Sequence, residues 1–202
     1  MRAQAHTLEG VAASLLIVAT VAFTIQATAV TPLTASTASQ HIETQHERAA
    51  SGLLETERSN GNLSRTLRFW NGTGASFVDA DANGYYVGDP EHEVSFLLAV
   101  EETFGERAVA YNVNVYYVND AGERRVRRLV YHGQPSADAV AATRLVTLYD
   151  NQSTTERDGA ELAPTDETLA DVDDAADERY FAPNAPGHSY AVVEVEVVVW
   201  RM

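Results

Sequence analysis

Met1-Arg2-Ala3-Gln4-Ala5-His6-Thr7-Leu8-Glu9 opens the chain, and residues 11–30 follow with no charged side chain. An apolar run of about 20 residues, rising ~1.5 Å per residue as a helix, matches the ~30 Å hydrocarbon core of a bilayer, so the length predicts a transmembrane helix. Three readings fit it: a cleaved secretory signal, a plain membrane anchor, and a helix used for assembly. Arg2 and Ala27-Thr28-Ala29 suit the signal, with its basic start and small-x-small cleavage site. Two features oppose it. Glu9 stands between the basic start and the apolar core, and the run is about twice the length of a signal core.

Composition narrows the setting. The 202 residues are 45% hydrophobic, enough for one ordinary domain and a membrane segment. All 14 basic residues are arginine, set against 29 acids for a net charge of −15. An acidic, lysine-free surface stays hydrated where salt screens charge repulsion, which suits a halophile; a high-GC genome also replaces Lys by Arg. Such a chain makes a poor nucleic-acid ligand, because phosphate neutralisation needs clustered cations. The one basic cluster is Arg124-Arg125-Arg127-Arg128. Absence of Cys excludes disulfides, thiol catalysis and cysteine metal sites.

Arg2-Ala3-Gln4 in front of the apolar run, with Glu9 as its lone acid, resembles the type IV pilins, most closely the pilin-like surface proteins of haloarchaea with their class III signal peptides. The resemblance implies cleavage by prepilin peptidase between Ala3 and Gln4 and a mature helix beginning at Gln4. Counted from there Glu9 is sixth, one place later than in the bacterial pattern; a cut after Gln4 restores the spacing. The resemblance covers about the first 40 residues, and it implies that Glu9 meets the N-terminal amine of Gln4 on a neighbouring subunit. A carboxylate at an apolar edge is costly without a partner, so this placement favours assembly. The plainer reading leaves Glu9 among lipid headgroups.

Alanines at 12, 13, 19, 22, 27 and 29 permit close helix approach. Pro32 is expected to kink or interrupt the helix. A polar continuation over residues 35–58 carries a thin apolar stripe, Ile42, Ala49, Ala50, Leu53 and Leu54, expected to rest on the globular part. His41 and His46 stand five apart, off the i, i+4 spacing of a helical metal pair.

Period-two patterning begins after Asn60. Residues 63–69, 76–78 and 85–87 read as strands, and the nearly all-apolar residues 94–100 as a buried central strand. Asp79, Asp81 and Asn83, with Gly84, match the first half of a calcium loop, but position twelve falls on Pro90 rather than an acid, so the metal reading competes with a simple acidic turn. Residues 108–118 alternate, turn at Asn119-Asp120-Ala121-Gly122 and return over 125–131 as a hairpin. Its arginines read either as a charged guard on an exposed edge or as a contact for an acidic neighbouring subunit. Residues 145–149 are β-prone. Residues 151–186 read as an acidic surface excursion with one short helix near 165–176. Residues 189–200 close the chain as a central strand, with Ala191, Val193, Val195, Val197 and Val199 on one face and Glu194 and Glu196 on the other.

Asn62, Asn71 and Asn151 fit the glycosylation acceptor pattern. No serine sits in a glycine elbow and no glycine loop suits a phosphate, so neither an enzyme nor a cofactor is expected. The sequence therefore predicts an α+β chain. Residues 1–3 form a leader, and residues 4–58 an N-terminal transmembrane and assembly helix, apolar then polar. Residues 59–202 form an extracellular, mainly antiparallel pilin-like domain of about six or seven strands with an acidic excursion at 151–186. The expected function is a structural subunit of a cell-surface filament or pilus-like envelope assembly, whose partners are the membrane, prepilin peptidase and other pilin-like subunits. The alternative is a membrane-anchored extracellular binding module.

Overall fold

A computed structural model describes the backbone of all residues except 1, 73, 88–93, 106–107, 159–160, 175–178 and 188. The side chains of 2–8, 26–39, 157–158, 161 and 173–174 also lie outside the described set. The chain divides into two units, Met1–Ile42 and Glu43–Met202.

Helix α1 covers Arg2–Ser59, so the interruption expected at Pro32 does not divide it. Residues 9–25 are exposed along their whole length. Among the described residues no helix is long and apolar enough to cross a membrane, which corrects the transmembrane expectation.

In the Glu43–Met202 unit, α1 ends where Gly61 turns left-handed at φ 78°, its N–H bonded to the Arg58 carbonyl at 3.1 Å. A side chain is disfavoured in that conformation, so glycine is the natural stop. Helix α2, Asn62–Leu67, follows at once where a strand over 63–69 was expected; Leu63, Thr66 and Leu67 are buried at helical spacing. Strands β1, Trp70–Asn71, and β2, Ser76–Phe77, form a small ladder, while Tyr86 makes only an isolated bridge to Val130. Helix α3, Ser95–Phe104, replaces the central strand expected at 94–100: Phe96, Leu97, Val100 and Phe104 are buried on one face, with Glu102 and Thr103 exposed.

The main sheet contains β3, Val109–Val118, β4, Arg124–Tyr131, β5, Val140–Tyr149, and β8, Ser189–Arg201, in the antiparallel order β4-β3-β8-β5. The β3–β4 hairpin turns as its sequence predicts. Asn119 Oδ1 accepts from the N–H groups of Ala121 and Glu123, and Gly122 supplies φ 76°. The acidic stretch is more ordered than expected. Strands β6, Ser153–Asp158, and β7, Glu161–Thr168, pair as a hairpin before helix α4, Leu169–Asp174, and Tyr180, Phe181 and Ala182 are buried. Eight strands among the described residues thus fall into three sheets rather than one.

One apolar cluster holds this unit together. The buried row of β8, from Val193 to Val199, meets Ala50 and Leu54 of α1, Leu67 of α2 and Phe96 of α3 within it. Leu53 packs against the cluster, but Ala49 is exposed, so the stripe on α1 is narrower than its sequence suggests. Because Leu54 has 0% exposure, Leu54→Ala is expected to lower the unfolding free energy by about 2–5 kcal/mol, measured by denaturant titration.

Candidate functional site

The unusual surface is the exposed run of α1. Leu15, Leu16, Ile17 and Val18 are 65%, 68%, 64% and 65% exposed; four successive residues, each about 100° from the last, take apolar groups around the whole helix. Its polar residues make little demand on their surroundings. Ser14 donates to the Val11 carbonyl at 2.9 Å, Thr20 to Leu16 and Ile17 at 3.0 and 2.9 Å, and Thr24 to Thr20 at 2.8 Å. Hydroxyls returned to the preceding turn satisfy carbonyls within the helix, so the run presents methyl and methylene groups outward. Glu9 is exposed at its leading edge. The side chains of Arg2, Ala3 and Gln4 lie outside the described residues.

The remaining expected residues do not converge. Asp79, Asp81 and Asn83 are exposed in a turn in which Asp81 Oδ2 accepts the Val87 N–H at 2.9 Å. Pro90 and Glu91 of the calcium pattern lie outside the described residues, and among those described no group of three or more acids or histidines could hold a metal. His46 rests 6.4 Å from the Phe104 ring, and His41 is exposed. Asn71 and Asn151 are exposed; Asn62 is half-buried and donates to Glu57 Oε2 at 2.8 Å.

The arginine cluster occupies β4, the outer strand of the main sheet, as the edge reading expected. Arg124 reaches Glu194 at 2.8 Å and stacks 3.7 Å over Tyr116. Burial raises the Tyr116 hydroxyl pKa above its ordinary value, with help from its 2.9 Å bond to Glu196. A cleft of ≈ 440 Å³ opens where Tyr117 and Val118 run past the last β3–β8 pair, Tyr116 with Glu194; Pro183, Pro186 and Val192 complete its walls.

Two anchoring groups escape a reading of the sequence because their partners are far away in the chain. Arg68 is largely buried and donates to the Ser153 carbonyl, and burial lowers its pKa. Trp70 sits 5.3 Å from both Phe77 and Phe181 and donates to the Arg179 carbonyl at 2.8 Å. Only the aromatic density could have hinted at the second.

These features define an α+β protein with an antiparallel main sheet and an uncovered apolar helical run. A family of unknown function, DUF7288, matches residues 2–199, and the chain belongs to that family. Comparison with curated proteins and with solved structures gives no match.

At the middle of β5, Arg144 joins sheet to helix by reaching Glu55 of α1 at 3.1 Å, and Arg58 of the same helix meets that carboxylate at 2.8 Å. The hydrogen bonds from Arg58 and then Arg144 hold the Glu55 carboxyl below the ordinary value. A depressed carboxyl contributes fully above its unfolded pKa of about 4.3 and loses that contribution as pH falls through the lower folded value. The stability gap between the parent and Glu55→Gln is therefore expected to narrow from pH 7 to pH 3, as read by urea unfolding at both.

Proposed function

We propose that the protein is a structural subunit of a cell-surface filament or pilus-like assembly, in which the exposed run of α1 packs among the equivalent helices of neighbouring subunits. The observation that carries the reading is that run: apolar around its full circumference, with its hydroxyls bonded to its own backbone. A helix apolar on every side is normally covered. Alanines and Gly10 along the run permit close approach of helix axes, and dispersion contacts then accumulate along it. Processing after Ala3 or Gln4 by prepilin peptidase would bring the new amine near Glu9, whose carboxylate would then bind that amine on a neighbour.

The protein isolated from its native cells is expected to lack only its first three or four residues by mass spectrometry; loss through Ala29 would instead mean a secreted protein and remove the assembly helix. In the purified full chain, Leu16→Asp is expected to weaken self-association at least about tenfold by sedimentation while leaving thermal unfolding of the sheet unit unchanged. Glu9→Gln should weaken it less. Equal association of parent and Leu16→Asp would refute the packing role.

A further inference from the structure

Charge is unevenly divided along the chain. Residues 124–128 hold four of its 14 arginines, whereas residues 153–178 hold ten of its 29 acids and a single arginine, Arg157. Arg124 and Arg125 are answered within the chain, by Glu194 and Glu123. Among the described residues, Arg127 and Arg128 have no carboxylate partner.

Aromatic rings hold these two in place instead. The Arg127 guanidinium lies 5.2 Å from the Trp70 ring centre, and that of Arg128 lies 4.2 Å from Tyr131 and 6.0 Å from Tyr85. Stacking engages the flat face of a guanidinium and leaves its N–H fork for an in-plane acceptor. Arg127 Nε is buried with no hydrogen-bond partner. As successive residues on a strand, the two leave β4 on opposite faces and straddle its edge. Tyr86 covers that edge at Leu129 and Tyr131, through bonds of 2.9 and 3.1 Å. Among the described residues no strand pairs along the outer side of residues 124–128.

We propose that this edge is an intersubunit contact in which Arg127 and Arg128 receive the acidic β6–β7 hairpin of a second copy, where Glu156, Asp166 and Glu167 are exposed. Charge complementarity selects that occupant. Copies with a net charge of −15 repel one another, and this pairing sets the basic edge of one against an acidic element of the next. The two surfaces differ, so the contact is heterologous and repeats as an open chain unless its rotation closes a ring. The inference rests on the assembly reading and deepens it by naming a contact outside α1.

The test uses the full chain in sedimentation at 0.15 M salt, with circular dichroism checking the fold. Arg127→Glu/Arg128→Glu and Asp166→Arg/Glu167→Arg are each expected to associate about tenfold more weakly than the parent. An equimolar mixture of the two should recover parental association, because every edge then meets a hairpin of opposite charge. Parental association by the arginine variant alone overturns the contact, and failure of the mixture to recover overturns the hairpin as its occupant. If the arginine variant misfolds, Arg127→Gln/Arg128→Gln takes its place with a smaller expected loss, and parental association again refutes the contact. Leu16→Asp separates the two ideas: association lost there and kept in the arginine variant removes the edge contact alone, whereas the converse removes the helix packing alone.

Discussion

Strand β8 follows every other described element in chain order and is buried deepest. Val193, Val197 and Val199 are wholly buried and Val195 nearly so, and pairing with β3 on one side and β5 on the other leaves neither backbone edge open over most of its length. Val109 lies opposite Arg201, so the main sheet is not complete until β8 has been placed beside β3. Closing so long a loop adds only logarithmically to the entropic cost, and non-local pairing mainly slows folding. The helices depend on the same strand. Ala50, Leu54, Leu67 and Phe96 share their buried cluster with it, and short segments such as α2 gain most of their helical stability from packing.

Using one face of β8 for the core determines the character of the other. Glu194 and Glu196 alternate with the buried valines, and each is engaged by β3 or β4. Asn114 and Tyr116 both donate to Glu196 at 2.9 Å, and Arg124 spans β3 to reach Glu194. Val126, Leu145 and Val192 on this sheet are each more than half exposed, so polar bonds and apolar groups share a mixed surface. The sheet therefore separates a dry layer from a wet one through the two-residue period of its central strand.

That period was legible in the residues. Alternation marked β3 and β8, the turn at Gly122 led from β3 into β4, and the length of the last apolar run marked β8 as central. It misled at α2, where Leu63, Leu67 and Phe69 fit a strand as well as Leu63, Thr66 and Leu67 fit a helix; the stop at Gly61 decides in favour of a second helix. In α3 the run 94–100 has no polar residue in register except Ser95, and its helical period emerges only on reaching Glu102, Thr103 and Phe104. The β6–β7 hairpin was hidden by composition. Thr154 and Thr155 are buried there with hydroxyls bonded to Thr165 and the Arg65 carbonyl, its single leucine, Leu162, packs on the core, and Glu156, Asp166 and Glu167 are exposed, so few apolar residues mark it. At the candidate surfaces, the apolar run and the arginine cluster were plain in the sequence, whereas the rings that stack on Arg127 and Arg128 come mostly from other elements.

The two candidate surfaces differ in their response to salt, and this bears on how so acidic a chain could assemble. Screening shortens the reach of charge from ~10 Å at 0.1 M to ~3 Å at 1 M, which relieves repulsion between copies and weakens steering toward an arginine edge. Apolar contact loses nothing by screening, and strongly hydrated salts strengthen it. In the proposed assembly the basic edge would supply attraction in dilute salt while the body of the chain, at a net charge of −15, repels. In concentrated salt that repulsion would be screened and the α1 run would act alone, with Arg127 and Arg128 left to direct close-range hydrogen bonding. A lysine-free chain suits that second regime, because a guanidinium already stacked on a ring loses less freedom when it binds a carboxylate than a mobile ammonium does. The apolar helix would then set the strength of association, and the stacked arginines its register.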